Sequence, residues 1–318
     1  MRRVASLEGE GDNVGIGEVG EVEGAEHLGK RGPRSSESSV VALAAKYVRL
    51  TPQSSRMLAR LAARGELSRM YEAEVEERRA ERAAEGGAEK QAYVRTVFET
   101  IAPRYDLLNH LLSLNIDRLW RRRALGALDW RRVPDGRYLD LCAGTLDVGA
   151  ELTRQPDFRG FIIGADFAVP MLRAGAGKAP RDRLAPVGAD AQLLPLDDNS
   201  MDGATVAFGI RNVASLDVAL REVHRVLAPD ARFVILEFTT PGSALVRTFY
   251  HFYFHHLLPL LGGLISGHQT AYRYLPRSVA HFPDEPELAR RMTAAGFAKV
   301  GWESLSFGIA AIHVGRKS

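Results

Sequence analysis

Three loops along the chain hold residue types that can grip a polar ligand. The first, Asp140-Leu141-Cys142-Ala143-Gly144-Thr145-Leu146-Asp147, closes a short apolar run that begins at Tyr138. Gly144 lets the backbone approach a ligand closely, and Thr145 and Asp147 add polar groups beside a helix start. The second ends on Asp166, after the run Phe161–Ala165; a carboxylate there can accept both hydroxyls of a ribose. The third is Gly188-Ala189-Asp190-Ala191, where an Asp can accept from an adenine amino group. Taken singly, a glycine turn or an Asp after a strand is only a turn or a helix cap. Their order and spacing, one βα unit apart, point to a nucleoside. The first loop is neither G-x-G-x-x-G nor G-x-x-x-x-G-K-[ST], so pyrophosphate and P-loop chemistry are disfavoured. A nucleoside without a pyrophosphate needs less glycine, which favours S-adenosylmethionine over a nicotinamide dinucleotide.

The elements that must position these loops follow the same alternation. Apolar runs at 138–142, 161–165, 204–208 and 233–238 alternate with helical patterns at 148–153, 171–176 and 216–227. Such alternation predicts an α/β fold with a mostly parallel, Rossmann-like sheet and helices on both faces. Two β-like runs, 298–306 and 309–315, joined by Phe307-Gly308, predict a closing antiparallel hairpin. In a doubly wound sheet ligands sit outside the carboxyl ends of the strands, where the three loops fall.

Upstream, residues 1–40 are rich in Gly, Glu and Ser without apolar periodicity, and are expected to be disordered. Residues 41–92 turn to Ala, Arg, Glu and Leu and read as a helical extension broken near Pro52 and Gly86-Gly87. Translation starting at Met57 or Met70 would remove part of this region. The compact domain is expected over 93–318. A formal net charge of +3 gives no case for nucleic acid, and the single cysteine, Cys142, excludes an intrachain disulfide or a cysteine metal cluster; no metal site is expected. The apolar stretch 249–267 contains three histidines, a proline and a glycine pair, so it reads as buried or interfacial and not as a span.

From about Val94 to Lys317 the chain resembles the menaquinone/ubiquinone biosynthesis C-methyltransferases. The resemblance rests on Val97-Phe98-Glu99-Thr100-Ile101-Ala102-Pro103-Arg104-Tyr105-Asp106, the first loop, and Phe208-Gly209-Ile210-Arg211-Asn212-Val213. Leu236-Glu237-Phe238, Tyr272-Arg273-Tyr274-Leu275-Pro276 with Ser278, and the ending from Phe307 complete it. Two departures stand out. Leu146 replaces the second glycine of the family's G-T-G-D loop, placing a side chain where backbone normally meets the methionine part of the cofactor. Pro229-Asp230-Ala231 replaces P-G-G before the fifth strand.

The resemblance implies a class I methyltransferase fold with a seven-stranded sheet, and transfer of a methyl group from S-adenosylmethionine to a ring carbon of a polyprenylated quinol. Arg211, after the fourth strand, is then expected to stabilise the phenolate of the acceptor; the plainer alternative is an arginine paired with a nearby carboxylate. Gly144, Thr145, Asp147, Asp166, Asp190 and Ala191 are the cofactor candidates. Tyr105, Asp106, Asn212, Tyr272 and Tyr274 are candidates to line the quinol pocket, the tyrosines serving equally well as core aromatics. His255 and His256 suit a helix surface better than a proton relay. The 249–265 segment is either a core or homodimer helix or a greasy lid over ring and tail. A bilayer-borne substrate implies a cytoplasmic protein with peripheral contact at the inner face of the membrane. Two other readings are a methyltransferase for another small molecule and a non-catalytic subunit that keeps the fold.

Overall fold

The structure, a computed structural model, describes Arg78, residues 87–102, 113, 115–243, 246–248, 250 and 269–318. Tyr105, Asp106, both adjacent histidines, the 249–267 stretch except Tyr250, and the two upstream regions as far as residue 86 except Arg78 lie outside the described residues.

Seven strands form one sheet: β1 (Arg137–Leu141), β2 (Phe161–Asp166), β3 (Leu184–Gly188), β4 (Met201–Ala207), β5 (Leu227–Phe238), β6 (Phe297–Leu305) and β7 (Ala310–Lys317). Their spatial order is β3-β2-β1-β4-β5-β7-β6. β1 to β5 pair in parallel, and β7 enters antiparallel between β5 and β6. The predicted parallel sheet and closing hairpin are both present. The chain reverses between β1 and β4, so the switch point opens at the carboxyl ends of those two strands.

The helices are α1 (Gly87–Ile101), α2 (Ile116–Ala127), α3 (Asp147–Thr153), α4 (Val169–Ala174), α5 (Leu216–Val226), α6 (Gln269–Ala280) and α7 (Glu285–Ala294). Alternation along β1 divides the core. Tyr138 packs on one face with Trp120 and Leu125 of α2 and Leu152 of α3, while Leu139 and Leu141 pack on the other with α5 and α7. α5 buries Ala219, Leu220, Val223 and Val226, the i, i+1, i+4, i+7 stripe of a helix lying on a sheet. α7 starts on Asp284, whose side chain accepts from the Glu287 amide at 3.0 Å, with Pro286 early in its first turn.

α1 crosses the boundary expected at Tyr93 and runs back to Gly87. The Arg- and Ala-rich composition upstream hides this turn, because Lys90 and Gln91 look like surface residues in sequence.

Candidate active site

Asp140, at the end of β1, is fully buried, and its Oδ2 accepts from the Gly149 amide of α3 at 2.8 Å. Burial drives its carboxyl up to about 7 despite that bond. Asp166, at the end of β2, has one oxygen on the Gly144 amide and the other on the Ala168 amide, both at 2.8 Å. Its acid range is likewise raised by burial, against the pull of the two amides. Asp166 therefore ties the first loop to the start of α4, and each oxygen keeps capacity to accept a further hydrogen bond.

A cleft of about 650 Å³, its mouth included, opens over these strand ends. Gly144, Asp166, Asp190 and Ala191 line it, as does Asn212 from the β4 side. Cys142 and Gly209 form part of its floor, where a Cβ on Gly209 would stand 2.4 Å from the Cys142 Cβ. Burial and the neighbouring Asp166 push the Cys142 thiol well up, so it packs as a neutral group. Phe208 sits at a positive φ of 59°, which is unfavourable for an aromatic residue, beside this close approach.

Four expected site residues, Thr145, Asp147, Arg211 and Tyr274, are not among the residues that line the cleft. Thr145 is buried under α4, against Gly175, and does not line the cleft. Asp147 is bound by two cations, Lys178 at 2.6 Å and Arg121 at 2.8 Å, and is also away from the lining. Burial raises its carboxyl, but these partners outweigh burial and hold it below the usual range. Its geometry is that of an anchor for the start of α3. Arg211 forms a buried ion pair with Glu237 at 2.6 Å; the same Nη1 donates to the Phe208 carbonyl, and Nε reaches Ser278 Oγ at 3.3 Å. The plainer of the two expectations for Arg211, pairing with a carboxylate, is thus what the geometry shows. Its Nη2 makes no hydrogen bond among the described residues. Tyr274 is buried against Tyr93 with ring centroids 5.6 Å apart, its hydroxyl has no hydrogen-bond partner among the described residues, and burial raises its acid range. The backbone of Tyr272 lies in α6; its side chain is outside the described residues.

Leu146 resolves the question its replacement of glycine raises. It adopts φ 65°, ψ 21°, the left-handed conformation that a glycine would fill without strain. Its side chain turns away from the cleft into the core, where its Cδ2 lies 2.4 Å from where a Cβ on Gly164 of β2 would stand. The cofactor side of the loop therefore stays bare. Asp230, where the family has glycine, also takes a positive φ of 67° and pairs with Arg316 at 2.9 Å.

Three residues at the site escaped the sequence reading. Gln91 of α1 lines the cleft and donates to Asp190 Oδ2 at 2.6 Å. Lys90, next to it, lies near Arg211 and Glu237; burial first, and then Arg211, lowers its ammonium to about 8. Glu237 stands in the Leu236-Glu237-Phe238 string yet nothing in its spacing announced a partner 26 residues away.

The donor set fits S-adenosylmethionine. Asp166 and Asp190 offer acceptors for ribose hydroxyls and an adenine amino group, and the bare Gly144 backbone admits a ligand. Asn212 brings a buried Oδ1 that has no hydrogen-bond partner among the described residues.

Residues 87–317 match the model of the ubiE/COQ5 methyltransferase family. The chain is 49% identical to the demethylmenaquinone methyltransferase of Thermus thermophilus over 69% of its own length and 99% of that protein. It is 43% identical to the ubiquinone/menaquinone biosynthesis C-methyltransferase UbiE of Geotalea uraniireducens, over 72% of this chain and 98% of the relative. Among solved structures, a SAM-dependent methyltransferase of Thermotoga maritima, a possible histamine N-methyltransferase, aligns with a TM-score of 0.51 at 20% identity, covering 70% of this chain and 99% of that one. That last likeness speaks for the fold alone.

Proposed function

The chain belongs to the ubiE/COQ5 methyltransferase family and is an S-adenosylmethionine-dependent C-methyltransferase; we propose that its acceptor is a polyprenylated quinol, with demethylmenaquinol to menaquinol as the step it performs. The equivalent benzoquinol step is the alternative, because relatives of both descriptions match. The observation that supports this reading is that one cleft brings the Asp166 and Asp190 carboxylates, whose chemistry suits a nucleoside, together with a β4 edge of different chemistry. That edge presents the unpartnered Asn212 Oδ1, with Arg211 directly before it.

The cofactor supplies an electrophilic methyl group on a sulfonium. The acceptor carbon would take that methyl as the methyl–sulfur bond breaks, leaving a neutral thioether, and would then give up its ring proton, so the residues must orient the ring, favour loss of a phenolic proton and exclude water. Asp166 and Asp190 fix the nucleoside from the β2 and β3 ends. Asn212 Oδ1 can accept from a quinol hydroxyl. Arg211, through its remaining Nη2, supplies a permanent positive charge toward the developing phenolate, and its bonds to Glu237, Ser278 and the Phe208 carbonyl hold that charge in place. Lys90 adds a second cation from α1. Such a protein would work from the cytoplasm with peripheral contact at the inner face of the membrane. No helix among the described residues is long and apolar enough to cross a bilayer.

The test is product analysis. Purified protein, S-adenosylmethionine and short-tailed demethyl naphthoquinol or benzoquinol are incubated anaerobically and the products are read by mass and carbon NMR. The expected product carries one new methyl on a ring carbon. Methylation on oxygen, or none on either ring with the cofactor bound, would contradict the acceptor assignment.

A further inference from the structure

We infer that the outer face of α2 and the tip of the β6–β7 hairpin together form the surface on which the protein rests against an anionic lipid bilayer; this deepens, and rests on, the reading of a polyprenylated acceptor. Ile116 and Leu119 of α2 are 42% and 65% exposed, and Phe307 at the hairpin tip is 85% exposed. Isolated exposed apolar residues are ordinary, but these come from two elements that are bound together. Trp120 of α2 donates through Nε1 to Ser306 Oγ at 3.1 Å, one residue from Phe307.

The hairpin tip holds Phe307 outward at a conformational cost. Ser306 and Phe307 have φ of 46° and 60°, a region that side chains with a Cβ disfavour. The turn is nonetheless fixed. The Ile309 amide donates to the Leu305 carbonyl at 3.1 Å, and Thr239 Oγ1 donates to the Gly308 carbonyl at 2.7 Å. A strained, fixed turn that ends in a solvent-facing aromatic has no use inside the domain and suits insertion among lipid acyl chains.

The charges match the partner. α2 carries four arginines against one Asp, and its inward stripe of Asp117, Trp120, Ala124 and Leu125 leaves Arg118, Arg122 and Arg123 around Leu119 on the outer face. Arg118 has no ion pair among the described residues. Arg122 meets Glu151 at 3.4 Å and Arg123 meets Glu303, both in exposed pairs that exchange readily for a lipid phosphate. The patch also leads to the site. Trp120 touches Phe208 and Phe238, with ring centroids 6.1 and 6.2 Å away, and Phe208 lines the cleft.

The experiment measures partition of the full chain onto vesicles of mixed phosphatidylglycerol and phosphatidylcholine, and onto phosphatidylcholine alone, beside methylation of a short-tailed quinol in solution. The wild type should bind the mixed vesicles and lose that binding as salt rises. Leu119→Ser with Phe307→Ser should weaken partition by about tenfold or more, the scale expected for withdrawing two large apolar side chains from lipid, with solution turnover unchanged. Arg118→Gln with Arg122→Gln should abolish the preference for the anionic vesicles. Variants that partition like the wild type, or a wild type that binds neither vesicle, would overturn the surface. A dimer in light scattering that the serine pair breaks would overturn it too, by assigning the face to a second copy of the chain. Wild-type failure to methylate the short-tailed quinol would count against the acceptor reading alone, because vesicle partition decides the surface independently.

Discussion

The two sides of the cleft are built in different ways. On the side proposed for the cofactor, Asp166 ends β2 and Asp190 follows β3 by two residues, and Asp166 braces Gly144 and Ala168 through backbone amides. Each grip is local: a strand ends, a turn follows, and a carboxylate caps it. On the side proposed for the acceptor the pieces are distant in sequence. Arg211 comes after β4, Glu237 from β5, Ser278 from α6, and Lys90 from α1. A site made of caps tolerates changes in remote segments. A site made of a buried ion pair depends on every segment that encloses it.

That contrast can be broken first at Glu237. The pair with Arg211 is almost fully buried, so Glu237→Ala leaves an uncompensated guanidinium in the core. Unfolding in denaturant should show a loss of about 3–5 kcal/mol, and Arg211→Met on top of Glu237→Ala should restore part of it. A loss under about 1 kcal/mol would mean that solvent reaches the pair and the acceptor side is not a packed unit.

Asp140 offers a test of the cofactor side through pH. Its folded value, about 7, lies above its ordinary 3.8, so the folded state holds the proton more tightly than the unfolded chain does. Its contribution is fully present below about pH 4 and is lost as pH rises through 7. Asp140→Asn keeps an oxygen for the Gly149 amide and does not titrate. The variant should therefore gain on the wild type between pH 4 and 8, by at most about 4 kcal/mol at 1.36 kcal/mol per unit. A stability difference that does not change with pH would show that Asp140 is ionised at no cost.

Asp166→Ala removes the ribose acceptor and the brace on Gly144 together. Calorimetry should show S-adenosylmethionine binding weakened by about 1.5–3 kcal/mol, the scale of a hydrogen bond to a charged group. Unchanged affinity in a folded variant would move the ribose elsewhere.

Leu146→Gly should give the smallest effect. It relieves a left-handed leucine but empties a packed position, for a net loss of about 1–2 kcal/mol in stability. Because the side chain faces the core, cofactor affinity should stay within about twofold. A large tightening would show that Leu146 obstructs the cofactor after all.

Legibility in the sequence follows the same division. The sheet, its closing hairpin and the loops ending at Gly144, Asp166 and Asp190 were readable because apolar runs and turn residues are local signals. The partners of Asp147 and Arg211 were not, because Lys178 and Glu237 lie 31 and 26 residues away and reach them only through the fold. Gln91 and Lys90 were hidden by composition: an Arg- and Ala-rich segment reads as solvent-facing wherever it packs. Leu146 looked like an intrusion on the cofactor since the sequence shows that a side chain is present but not which way it turns.

The central claim is that one side of the cleft holds the cofactor and the other drives the transfer. The direct measurement is a pair of quantities, S-adenosylmethionine affinity and the single-turnover methylation rate at saturating cofactor, on Asp166→Ala and Arg211→Ala. The account predicts that Asp166→Ala loses affinity while its saturated rate is largely kept. Arg211→Ala should keep cofactor affinity and lose about 10²–10³ in rate, with Arg211→Lys recovering only part because the forked donor is gone. If Arg211→Ala instead loses affinity in proportion to its rate, or loses neither, the two sides are not functionally separate and the assignment of Arg211 to the acceptor is wrong.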